Sequence, residues 1–213
     1  MYQMKVLMLI ISSDTDPVYQ EHRKIWSSYM NSNSQIDTYF IQYRDGPQEI
    51  EGNTFWLNGK ESFQSIITKT LDSLDYFLKI KSYDFIVRTN MSSLWNFNAL
   101  LSYLETLPSE KVYNGIIGNH MGIYFASGSG FIMTPDVAKL LIENRSITES
   151  VKIIDDVDIG FTLEKIGITP SLGRRNDTLV YDKTSYHYRI KIEDRAKEFE
   201  IMNSLLNIIN SNS

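Results

Sequence analysis

The chain predicts an α/β fold, a three-layer sandwich in which helices cover both faces of one mixed β-sheet. Three observations predict it. Apolar runs of strand length alternate with stretches of helical spacing, the signature of an α/β layer architecture. Residues 5–11, apolar without a break from Val6 to Ile11, read as a central strand buried on both faces. The 213 residues contain no repeat, linker or low-complexity block, which makes one domain, 1–213, with a sizeable core.

Each element then follows in order. After the first strand, Pro17 sits at a first-turn position of a helix running to about Met30. Residues 37–42 form a second strand. Residues 61–79 are the clearest helix, because Phe63, Ile66, Ile67, Thr70, Leu71, Leu74 and Leu78 keep the three-and-four spacing of a buried stripe. A strand at 83–87 precedes a helix at 95–104, which Leu107-Pro108 closes. Strands are expected at 112–117 and 129–133, helices at 135–142 and 157–166, and a late strand at 185–190. Asp194 is placed to cap a final helix through about Ile209, leaving residues 210–213 as a polar tail.

Charge and composition exclude several function classes. With 21 Lys and Arg against 26 Asp and Glu, the net charge of -5 gives no global reason to hold nucleic acid or an anionic membrane. An anionic ligand must therefore be met locally. The absence of cysteine excludes disulfides and thiolate metal sites and fits a reducing compartment. Residues 6–11 are far shorter than the roughly 18–20 apolar residues of a membrane helix, and no signal-type cleavage site follows them. A soluble, cytoplasmic protein without a membrane span is expected.

Four places carry chemistry-capable residues. Ser12, Ser13 and Asp14 follow the first strand, where ligands of α/β proteins bind, or they belong to a helix-capping loop. The strand 83–87 runs into Arg88, Thr89, Asn90, Met91, Ser92 and Ser93, either a ligand-binding turn or a polar connection with Asn in a left-handed conformation. Gly128 and Gly130 flank Ser129, letting backbone approach a ligand closely or merely forming a tight turn. Asp155, Asp156 and Asp158 crowd the mouth of an apolar helix, where one acid would suffice as a cap, and the surplus points to function. His187 is either a ligand or a half-buried residue of the late strand. No Walker loop and no Gly-X-Gly-X-X-Gly follows the first strand.

The order of these segments resembles a GT-A glycosyltransferase, and within that class a reduced relative of the β-1,3-galactosyltransferase and Fringe-like family. The family's Leu-Thr-Leu-Lys-Thr-Leu helix is answered by Ile66-Ile67-Thr68-Lys69-Thr70-Leu71. Its Ser-Gly-Gly-Gly-Tyr-Val-Leu-Ser-Arg-Asp segment is similar to the stretch from Ser127 to Asp136. Its Glu-Asp-Val-Tyr-Val-Gly is similar to Asp155-Asp156-Val157-Asp158-Ile159-Gly160, and its Leu-Glu-Lys-Leu-Gly-Ile to the stretch from Leu163 to Ile168. The resemblance covers most of the chain from the first strand to His187.

That resemblance implies a GT-A, Rossmann-like sandwich and an inverting sugar transfer from a uridine-diphosphate (UDP) sugar to a glycan hydroxyl. Asp156 would be the general base, with Asp155 and Asp158 as alternatives. Ser12, Ser13, Asp14, Lys69, Arg88, Thr89, Asn90, Ser92, Gly128, Ser129 and Gly130 would hold the nucleotide sugar. Where the family carries its Asp-X-Asp metal ligands, this chain has Asn90-Met91-Ser92. Either Mn²⁺ or Mg²⁺ binds through the diphosphate with help from Asn90, Ser92, His187 or a relocated Asp, or cations from Arg88, Lys69, Arg174, Arg175 and Arg189 replace it. A small enzyme without cysteine or anchor suits glycan assembly in a bacterium or a large DNA virus.

Overall fold

β1 (Val6–Ile11) is buried along its whole length, and its alternate residues feed two separate cores. A computed structural model of the chain describes residues 3–212. Its further elements are α1 (Pro17–Tyr29), β2 (Ile36–Arg44), β3 (Glu49–Glu51), β4 (Thr54–Asn58), α2 (Ile66–Ile80), β5 (Phe85–Asn90), β6 (Ser93–Trp95) and α3 (Phe97–Leu104). Then follow β7 (Tyr113–His120), β8 (Ile123–Met133), α4 (Pro135–Glu143), α5 (Arg145–Val151), α6 (Asp155–Lys165), β9 (Ser171–Leu172), β10 (His187–Arg189), a 3-10 turn (Arg195–Lys197) and α7 (Glu198–Ser211).

Eight strands form one mixed sheet in the order β3-β4-β2-β1-β5-β8-β7-β9. β4, β2, β1 and β5 are parallel, and β8 runs antiparallel between β5 and β7. Val6, Met8 and Ile10 point to the core shared with α1, α3 and α7, while Leu7, Leu9 and Ile11 point to the core shared with α2, α4 and α6. This is the three-layer sandwich expected from the alternation of runs.

The sheet also fixes where a ligand can sit. The chain leaves β1 for β2 on one side and returns to β5 on the other, so a crevice opens between the diverging connections at the carboxyl ends of β1 and β5. Ile11 and Asn90 lie opposite one another there.

Several expectations are corrected. The sequence pattern does not predict β3, β4, β6, β9 or α5. β4 is short, is bounded by Gly52 and Gly59, and lies between the edge strand and β2. α2 starts at Ile66 rather than Glu61, and Phe63 lies outside it, 61% exposed. β8 reaches back to Ile123 because the Gly and Ser run is extended strand rather than a turn. The late strand shrinks to His187–Arg189 and pairs with β6 in a separate two-stranded sheet. α3 begins at Phe97 rather than Trp95, with Asn96 accepting the Ala99 amide. Asp194 makes no side-chain cap, and α7 continues to Ser211, so Asn210 and Ser211 are helical. Ser213 of the expected tail lies outside the described residues.

α6 packs against β8 through Gly160. A Cβ there would sit 2.5 Å from Phe125 Cβ and 2.7 Å from the Tyr124 carbonyl oxygen. Helix propensity favours alanine by about 1 kcal/mol, yet the helix would have to move off a strand backbone. Gly160→Ala is therefore expected to destabilise the protein by about 1–3 kcal/mol. Thermal unfolding measures this, and an unchanged or raised Tm would contradict the close packing.

Candidate active site

The crevice is a cleft of about 580 Å³, walled by the ends of β1 and β5, the middle of β8, the first turn of α6, and the segment after β10. Two buried cations form its floor. Lys69, fully buried on α2, donates from Nζ to the Ser12 carbonyl at 2.9 Å and to Glu61 Oε1 and Oε2 at 2.8 and 2.6 Å. Arg88 on β5 donates from Nη1 to the Gly128 carbonyl at 2.5 Å and pairs through Nη2 with Asp155. Each charge thus already has a carboxylate partner inside the protein, though Arg88 Nε is buried without a hydrogen-bond partner.

The three acids of the helix mouth have three different partners. Asp155, the first helical residue of α6, is held by Arg88. Asp156 Oδ2 accepts the Gly128 amide at 2.7 Å and Oδ1 accepts the Val157 amide at 3.0 Å. Burial and then the charge of Asp155 push its carboxyl above the ordinary Asp value, against the pull of the Gly128 hydrogen bond and Arg88. Asp158 Oδ1 accepts the Ile153 amide at 3.0 Å and does not line the cleft. Asp158 ties down the helix entry, away from the cleft.

The turn after β5 is built around Met91, a buried core side chain whose carbonyl accepts from Trp26 Nε1 at 3.2 Å. Asn90 has an ordinary negative φ, so the left-handed reading fails. Its Oδ1 accepts the Ser92 amide at 3.1 Å and Ser93 Oγ at 3.3 Å. The Ser92 carbonyl accepts the Ile190 amide at 2.7 Å, which fastens the segment after β10 beside the turn.

Ser12, Ser13, Lys69, Arg88, Asn90, Ser92, Gly128, Ser129, Asp155 and Asp156 line one cleft. Asp14, Thr89, Gly130 and His187 do not. Asp14 is exposed. Thr89 Oγ1 donates to the Ser129 carbonyl at 2.8 Å and accepts from Trp95 Nε1 at 3.0 Å, holding β5 to β8. Gly130 turns to the opposite face, where a Cβ would meet Trp95 Cζ2 at 2.5 Å and His187 Cε1 at 2.7 Å. His187 stacks on Trp95 at 4.3 Å between centroids and shares a hydrogen bond with Ser93 Oγ at 3.1 Å. Its pKa is driven well down by burial and then by Arg175 and Arg189, and its position against Trp95, outside the cleft lining, makes the ring packing rather than a cleft ligand.

The residues do not fit a divalent cation of the family type. Asp155 is committed to a guanidinium, Asn90 Oδ1 already accepts two hydrogen bonds, and His187 lies elsewhere. Among the described residues no group of three or more His, Asp or Glu side chains is gathered to hold a metal ion.

Several cleft residues escaped the sequence reading. Phe63 looked like core but stands 61% exposed at the mouth, and Tyr19 lines the cleft from α1. Glu61 is the partner of Lys69. Lys191 and Arg195 join Arg189 on the wall after β10, and the basic run Arg189, Lys191 was the available signal. Arg174 is exposed and outside the cleft, while Arg175 pairs with Asp177 and donates to Ser129 Oγ at 2.8 Å.

No family model matches the chain, and no curated protein matches it. Solved structures do. A glycosyltransferase involved in the glycosylation of the major capsid of PBCV-1 superposes with a TM-score of 0.61 at 11% identity, over 94% of this chain and 99% of that one. The galactosyltransferase LgtC, in complex with donor and acceptor sugar analogs, gives 0.52 at 14% identity, over 95% and 96%. The inositol-1-phosphate CTP transferase of T. maritima gives 0.52 at 12% identity, over 96% and 97%. At such identities the likeness concerns the fold, which is that of GT-A glycosyltransferases, and the last neighbour carries nucleotidyl transfer on a related sandwich.

Proposed function

We propose that this protein transfers a sugar from a nucleotide-diphosphate donor, a UDP-sugar, to a glycan hydroxyl with inversion. One observation carries the reading: Asp156 and the wall of Arg189 and Lys191 border the same cleft, at the switch point of the sheet. Kinship with β-1,3-galactosyltransferase and Fringe-like enzymes, from the motif order, belongs to the same reading.

The chemistry needs two things from the protein. The acceptor oxygen attacks the anomeric carbon as the bond from that carbon to the β-phosphate oxygen breaks, and the electron pair leaves on the diphosphate. Cations at the cleft wall stabilise that leaving charge. The acceptor proton passes to the Asp156 carboxylate, whose raised pKa makes it a better base than an exposed Asp. Gly128, hydrogen-bonded to Asp156 and to Arg88, fixes both groups against the strand.

A second reading, donor binding without turnover, is favoured by Arg88 occupying Asp155 and by the absence of acids at Asn90-Met91-Ser92. One experiment separates the possibilities. Uridine, guanosine and cytidine diphosphates are titrated, then a panel of UDP-sugars is incubated with glycan acceptors while free UDP is measured. UDP is expected to bind tightest, with release accelerated by acceptor. Binding of UDP without release from any sugar in the panel would favour the second reading, and failure to bind any nucleoside diphosphate would overturn both. Pyrophosphate release from a nucleoside triphosphate and a sugar phosphate would instead indicate nucleotidyl transfer.

A further inference from the structure

The cleft has carboxylates and cations, but they are arranged oddly for a metal-assisted donor site. On the α6 side, Asp155 is neutralised by Arg88 and Asp156 is held by the Gly128 amide. At the end of β5, where a cation would need anionic oxygens, Asn90 spends its amide oxygen on Ser92 and Ser93. A divalent ion there would have to compete with a guanidinium for one carboxylate and with backbone for the amide.

The opposite wall has the complementary imbalance. Arg189 Nη1 is buried and has no hydrogen-bond partner, although the side chain lines the cleft. A buried guanidinium nitrogen left without an acceptor costs free energy that a bound anion would recover. Burial and then the neighbouring Arg175 lower the pKa of Arg189, the direction expected of a positive charge short of counter-charge. Lys191, exposed two residues on, lines the same wall and forms no ion pair among the described residues. Arg195 lines it too, at 3.2 Å from Asp16 and 3.3 Å from Glu198.

We infer that this cleft holds a nucleoside diphosphate without a divalent cation, its phosphates neutralised by Arg189 and Lys191. The inference rests on the nucleotide-sugar reading above and sharpens it. It assigns Lys191 and Arg189 the charge neutralisation that a metal ion would otherwise supply. The Ile190 amide bound to the Ser92 carbonyl sets this cationic segment beside the end of β5, at the crevice where ligands of α/β sheets bind.

The test is binding of UDP to the intact protein by calorimetry, in EDTA and in Mn²⁺. Affinity in EDTA is expected to lie within about threefold of that in Mn²⁺. Lys191→Ala and Arg189→Gln are each expected to weaken UDP about tenfold or more in EDTA, the scale of one charge-assisted contact. Uridine, lacking phosphates, should bind equally to wild type and variants. Lys191 is exposed, so its variant tests the idea even if the Arg189 variant fails to fold. UDP binding seen only with Mn²⁺, or unaltered in Lys191→Ala, would overturn the inference while leaving the nucleotide-sugar reading standing. Absence of binding by uridine, guanosine and cytidine diphosphates under both conditions would overturn the two together.

Discussion

Asp156→Asn is expected to slow sugar transfer by about 10²–10⁴-fold while leaving UDP affinity near wild type. The asparagine Oδ1 can still accept the Gly128 amide, so the junction of β8 with α6 survives the change. What is lost is the capacity to take a proton. The pH profile gives an independent check. Transfer requires the ionised carboxylate, whose pKa is raised above 3.8 by burial and by Asp155. Activity should therefore fall with decreasing pH through a value higher than that of an ordinary Asp. An Asp156→Asn variant of undiminished rate would move the base elsewhere, and Asp155 is the other acid of the helix mouth that faces the cleft.

The largest stability effect is expected at Glu61, which no sequence pattern marked. Glu61→Ala leaves the buried Lys69 ammonium with only the Ser12 carbonyl, and breaking a buried pair from one side costs about 3–5 kcal/mol. For a domain of this size that is a Tm lower by roughly 6–20 °C. The pH dependence has a definite sign. Burial already lowers the Lys69 pKa from 10.5, and Glu61 is the main influence opposing it. Without Glu61 the folded pKa drops further below the unfolded one, so the unfolded chain binds more protons between the two values. The deficit is then full at neutral pH, where Glu61 is ionised and Lys69 protonated, and shrinks as pH rises toward 10.5. A Glu61→Ala protein that melts like wild type would mean that water, rather than Glu61, solvates the ammonium.

Much of the frame was legible because it is written in periodicity. The apolar run of β1, the stripe of α2 and the strand before Arg88 each follow from which faces are buried, and the structure gives them the same character. β4 was missed because a five-residue strand with a half-buried centre leaves little pattern. The glycine run leaves two readings open in the sequence, and the turn fails for a physical reason. Glycine signals a turn when φ is positive, but Gly128 and Gly130 are extended and small because side chains press on them from outside the strand. For the site, the clustered acids and the polar end of β5 were visible as chemistry. Their division of labour was not: nothing in the spacing of Asp155, Asp156 and Asp158 says that one meets Arg88, one a strand amide, and one its own helix entry. Nor does sequence reveal that residues 189 and 191 fold back beside Ser92, since that proximity is made by a small sheet across 94 positions.

The alternation of β8 has a consequence for how this protein tolerates change. Gly128 looks toward Arg88 and Asp156, and Gly130 looks away toward the rings of Trp95 and His187. A single inserted residue between the hairpin tip and Met133 would deliver serine hydroxymethyl groups to one or both bare spots, jamming the reactive side and the aromatic pile. The strand thus works as a ruler, and length changes in that hairpin should be poorly tolerated even when they fall well outside the crevice.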